Sequence, residues 1–251
     1  SVPPPGATGL FGTAVSAFGV IDRIGLQEDT NHSLTRRMLF IEESTSLLDQ
    51  DVHEEVIRAA LERYLHFAGD SPDRPPRFLL NDVLRYWHTV AVDYQAKARV
   101  NRHESGLRYL KLVISRKLLY AGSLMTILSC GKDFGHKATV DELFRVSQQP
   151  SFDRLLAPYD HAPHPVQEAM ATLVHCQNHF LTWSNDPAWR SAVKGSASQD
   201  VSSSSLEPDV AKMPAATQLI HDAKELAAQL QKALEVIFFE WEELSIDARK
   251  L

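Results

Sequence analysis

The side chains best suited to chemistry are basic groups set into an oily stretch, Arg77 to Cys130. Arg108, Lys111 and Ser115 fall at i, i+3 and i+7, which places them on one side of a regular helix. Arg116 and Lys117 flank that side, and Arg85, His88 and Asp93 stand in the preceding helical stretch. From Tyr94 to Tyr120 there are seven Lys/Arg and one acid, Glu104. Internal pairs, Asp82 with Arg85 and Asp93 with Lys97 or Lys111, would absorb some of this charge. The basic groups outnumber the local acids, and an unpaired charge is costly to bury. Arg85, Asp93, Arg108, Lys111, Arg116 and Lys117 are therefore the candidate ligand-binding residues, suited to a phosphate or another anion.

Other constellations carry less. His161, His164, His175 and His179 cluster, and the last two stand at i, i+4. The glutamate of a metalloprotease helix and a third ligand at a familiar spacing are both missing, so no metal is expected. Arg154 and His161 have the Arg-x6-His spacing of some helical ribonucleases, but Pro158 interrupts the turn between them. Asp49 and Asp51 imitate a metal-binding pair, yet sit where a helix cap is needed, with Asp51 as the expected cap. No Gly-x-Ser-x-Gly or Cys/His signature supports a nucleophilic hydrolase. Gly6, Gly9 and Gly12 lack the Gly-Lys-Ser/Thr of a phosphate loop. The catalytic residues, if any, remain unassigned.

The elements that must position the basic groups are helices. Pro75 and Pro76 open one that runs through Lys97, apolar around much of its circumference. A break near Glu104-Ser105-Gly106 precedes a second, through Leu107, Leu110, Ile114, Leu118, Leu124 and Leu128. Helices are expected before this pair at 33–48 and 51–67, and after it at 139–146, 152–156, 165–185 and 215–245. No alternating run of strand length appears, so the fold class is all-α: a helical bundle around two long central helices. The expected division is an irregular arm at 1–29, a helical core domain at 30–192, a flexible linker at 193–213 and a C-terminal amphipathic helix at 214–251. The linker has four consecutive Ser, from Ser202 to Ser205. Leu219, Leu226, Leu230, Leu234, Ile237, Phe238 and Trp241 form a seam for packing on the core or on a partner, including a second copy.

With 251 residues, 44% hydrophobic and 23% charged, the chain has the composition of a soluble globular protein. No run of about 18 apolar residues is evident, so no membrane span is expected. The start lacks a basic region followed by an apolar one, and lacks Met. The expectation is a cytoplasmic protein that begins after processing or partway through a longer one. Cys130 and Cys176 are too few for a disulfide framework. A net charge of −6 argues against general coating of nucleic acid and favours a local anionic ligand.

Three segments together resemble a known family: Leu34–Ser44 (LTRRMLFIEES), Arg77–Lys97 (RFLLNDVLRYWHTVAVDYQAK) and Leu107–Leu124 (LRYLKLVISRKLLYAGSL). The combination is similar to the helical C-terminal portion of bacterial nucleotidyltransferase-like proteins of the DNA polymerase β-type superfamily. The resemblance spans roughly residues 20–130. It implies a helical accessory domain beside a small catalytic module, with Arg85, Asp93, Arg108, Lys111, Arg116 and Lys117 near a nucleotide and acceptor cleft. It also implies that the catalytic Gly-Ser turn and Asp-x-Asp pair, which hold magnesium, lie outside this chain. Gly122-Ser123 falls inside an apolar helix with no acidic pair after it. No cofactor is expected here, and magnesium only if that module is present elsewhere. Two alternatives stand beside this one: a non-catalytic interaction or oligomerisation domain, and a helical ribonuclease using Arg154 and His161.

Overall fold

The computed structural model describes residues 14–66, 75–100, 105–129, 139–195 and 214–244. Among them every regular element is helical and there is no strand, so the fold is all-α. In chain order the α-helices are α1 (Ala17–Ile21), α2 (Asn31–Glu43), α3 (Gln50–His66), α4 (Arg77–Val100), α5 (Ser105–Lys111), α6 (Lys117–Ser129), α7 (Val140–Ser147), α8 (Ser151–Leu156), α9 (His164–Asn185), α10 (Pro187–Gly195) and α11 (Pro214–Glu235). A π-helical turn, Leu112–Arg116, joins α5 to α6, and another, Val236–Glu240, continues α11.

The helix starts follow from local side chains. Thr30 accepts the backbone N–H of Ser33 at 3.2 Å and opens α2. Thr139 accepts that of Glu142 at 3.1 Å and opens α7. At α3 the expected cap shifts by two residues: the Asp49 carboxylate accepts the N–H of Val52 at 3.1 Å, while Asp51 lies in the first turn. The region 1–29 is less irregular than expected, since α1 lies within it; Gly25, at φ 78°, turns the chain between α1 and α2. Residues 1–13, Cys130 and 196–213, which include most of the expected linker, lie outside the described residues.

The chain forms two compact units. The first combines residues up to Thr89 with Ser123–Arg154, and the second combines Val90–Gly122 with Leu155 onward. In the first, α1, α2, α3 and α7 close around Leu34, Met38, Ile41, Ile57, Leu61 and Leu143, all below 5% exposure. In the second, α9 packs along α11, and Leu173, Cys176 and Phe180 meet the seam Leu226, Leu230, Leu234, Ile237 and Trp241. The C-terminal seam is thus buried against its own chain.

The run Ser105–Ser129 is, against expectation, long and apolar enough by length and composition to cross a membrane. Its most apolar window is 61% buried inside the protein, as in a core helix. In α4, Leu79, Leu80, Val83 and Tyr94 are buried, but Phe78 and Val92 are exposed. Its buried stripe is therefore narrower than its apolar composition.

Candidate anion-binding face

Arg85 and Asp93 both project from α4, one in each unit, and each has an acid–base partner close by. Asp93 binds Lys97 at 2.6 Å, one turn along the helix, with both side chains exposed. Arg85 donates to Asp82 at 2.9 Å and to the Asp29 carbonyl at 3.3 Å. These are the internal pairs anticipated for Asp82 and Asp93.

Asp82 serves a larger network that the sequence reading did not assemble. Arg37, with 0% exposure, lies at its centre. Its Nη2 contacts Asp29 at 2.7 Å and Asp82 at 2.6 Å, and its Nη1 donates to the Val20 carbonyl at 3.1 Å. Its Nε donates to the Tyr64 hydroxyl at 2.5 Å, which in turn donates a hydrogen bond to Asp82 at 2.6 Å. Burial works against the Arg37 charge, but hydrogen bonds to Asp29 and Asp82 and the nearby Tyr64 outweigh it and keep the guanidinium protonated. The Tyr64 phenol is held well above its usual range, first of all by burial. The signal was present in the sequence: Leu34, Arg37, Met38 and Ile41 fall at i, i+3, i+4 and i+7, so Arg37 occupies a core position. Every group in this network has its partners inside the first unit, which marks it as a fastening of α2, α3 and α4.

Arg154 is a second fastening. At 2% exposure it donates to the carbonyls of Gln149 at 2.7 Å and Ser147 at 2.5 Å, and it pairs with Glu42. Its donors are spent on helix ends, while His161 lies exposed in a 3-10 turn of the other unit. This arrangement gives the ribonuclease alternative no support.

The remaining basic candidates belong to α5 and the turn that follows. Arg108 is half-buried, Lys111 and Arg116 are exposed, and Lys117 is half-buried. Lys117 donates to the Gln231 side chain at 2.8 Å. Burial pulls its ammonium below the usual lysine range, and Glu235 offsets part of that. The π turn also corrects the expected geometry. Its wider i→i+5 winding carries Ser115 off the line that Arg108 and Lys111 would share with it on a regular α-helix. Gly122 and Ser123 are buried within α6, as their apolar surroundings suggested.

The first unit also has a groove of about 900 Å³ lined mainly by Val20, Leu39, Phe40, Leu47, Val52 and Val56. In its wall Ser44 Oγ lies 2.7 Å from His53 Nε2. The Ser44 hydroxyl also donates to the Phe40 carbonyl, and His53 Nδ1 has no hydrogen-bond partner. Without a carboxylate on that nitrogen the pair lacks the orienting acid of a nucleophilic triad.

Neither a protein-family model, nor a curated protein, nor a solved structure matches the chain.

Proposed function

We propose that the protein binds a nucleotide or another phosphate-bearing anion through Arg108, Lys111, Arg116 and Lys117, as the helical substrate-binding part of a nucleotidyltransferase-like protein. The observation that carries this reading is the π turn Leu112–Arg116, which interrupts an apolar helix between Lys111 and Lys117. π turns within α-helices are rare and frequent at functional sites, because the widened turn redirects side chains at a cost in hydrogen-bond geometry. Lys117 adds a second support. Its ammonium is held half-buried beside Gln231 and Glu235 of α11, a fixed position from which it can reach an anion. Arg108 and Arg116 supply the planar donors suited to phosphate oxygens, and Lys111 an exposed point charge. Nucleotidyl transfer itself belongs to a catalytic module outside these residues, and magnesium enters only with it.

Thermal unfolding with ATP, with and without magnesium, tests the proposal. A ligand at 100 times its Kd adds about 2.7 kcal/mol of stability. The Lys111→Ala/Lys117→Met variant should lose the rise in Tm while keeping the helical circular dichroism of the wild type. Wild-type protein that shows no rise with ATP or inorganic triphosphate, or a double variant that keeps the full rise, would remove the reading.

A further inference from the structure

Along the exposed side of α9, His175, His179 and Trp183 follow one another at intervals of one helical turn. The two imidazole centroids are 4.7 Å apart with their planes at 35°. Trp183 meets His179 edge-on at 5.3 Å and stacks on Trp189 of α10 at 6.0 Å. The opposite side of α9 is anchored: Leu173, Cys176 and Phe180 are buried. The pair is thus mounted on a fixed helix.

We propose that His175 and His179 form a two-point chelate for a late first-row divalent cation, Cu(II) foremost and Ni(II) or Zn(II) behind it. Imidazole nitrogens bind such ions at about 2.0–2.1 Å, so two adjacent ligands need nitrogens about 3 Å apart. Side chains one helical turn apart reach that separation by rotating their rings, without moving the backbone. Both residues are exposed, so the ion keeps its remaining water ligands and is not forced into a dry site. The order of metals follows from imidazole donors and the general rise in affinity towards copper. Cys176, next to His175 in the chain, is not a ligand. It is fully buried, and its Sγ lies 3.6 Å from the Leu226 carbonyl. Among the described residues no cluster of three or more His, Cys, Asp or Glu could hold an ion. With two exposed protein ligands, the chelate leaves coordination positions for water or an exchangeable ligand, unlike a four-coordinate structural zinc site.

Trp183 makes the site measurable. Titration of the full chain with CuCl2 in a non-coordinating buffer should quench tryptophan emission saturably at one equivalent, and EDTA should restore it. ZnCl2 should compete with copper without quenching. His175→Ala and His179→Ala should each weaken the apparent Kd by about tenfold or more, since losing one of two ligands costs at least as much as losing an outer partner. His164→Ala, on the same helix, should leave it unchanged. The electron paramagnetic resonance spectrum of the one-equivalent complex should show two coupled nitrogens, which serves as the test if a variant fails to fold. Equal affinity in the wild type and both alanine variants, or a single coupled nitrogen, would overturn the assignment.

Discussion

Removing Arg37 tests most directly how the first unit is held together. Arg37→Met keeps much of the side-chain volume but deletes the donors to Asp29, Asp82, Tyr64 and Val20. Asp29 and Asp82, at 4% and 7% side-chain exposure, are then left facing each other, with the partly exposed Arg85 as their remaining cation in the network. Breaking a buried pair from one side costs about 3–5 kcal/mol. In a chain of this size that lowers Tm by about 6–20 °C, at about 2–4 °C per kcal/mol. Tyr64→Phe removes only the bridging hydroxyl, leaving one donor and one acceptor short of a partner, and should cost about 1–3 kcal/mol. Urea unfolding followed by circular dichroism measures both. The Arg37→Met/Asp82→Asn double variant should lose less than the sum of the single losses, with a coupling of about 0.5–3 kcal/mol. An Arg37→Met protein within about 1 kcal/mol of wild type, with additive double-variant losses, would show that the network does not fasten these helices.

Arg154→Lys should be nearly as damaging as Arg154→Ala, because a single ammonium cannot serve the Gln149 and Ser147 carbonyls and Glu42 together; comparison of the two Tm values checks this. Tyr94 and Tyr120 are pushed from 10.0 up to about 12, by burial first and for Tyr94 also by Tyr109. Their phenols, with that of Tyr64, should therefore belong to the late component of an absorbance titration at alkaline pH. The unfolded chain gives up these protons first, so their contribution is complete below pH 10 and is lost as the pH climbs towards about 12. Alkaline unfolding that sets in no later for Tyr120→Phe than for wild type would contradict this origin.

The helices were legible where the pattern is local. The caps at Thr30 and Thr139 and the course of α9 follow from side chains within a few residues of one another, whereas most of the expected break near Glu104 lies outside the described residues. What was not legible depends on distance in sequence. Asp82 showed its neighbour Arg85, but not Arg37, 45 residues earlier, nor Tyr64. Arg154 looked like a chemical group because nothing near it in sequence reveals that Glu42 and the end of α7 need its donors. The compact units divide inside α4, α6 and α8, where a continuous helix leaves no compositional trace. For the basic residues, the order and charge were readable. Their angular placement was not, because a constant 3.6-residue period was assumed through Leu112–Arg116.

That stretch separates chain length from chemistry. A π turn closes over one residue more than an α turn, so Leu112–Arg116 holds a surplus residue that the helix accommodates by widening. Excising one residue there should restore an ordinary winding while Leu118 keeps its buried place and Lys117 its contact with Gln231. What such a deletion removes is the widened turn itself, with the helices on either side left in register.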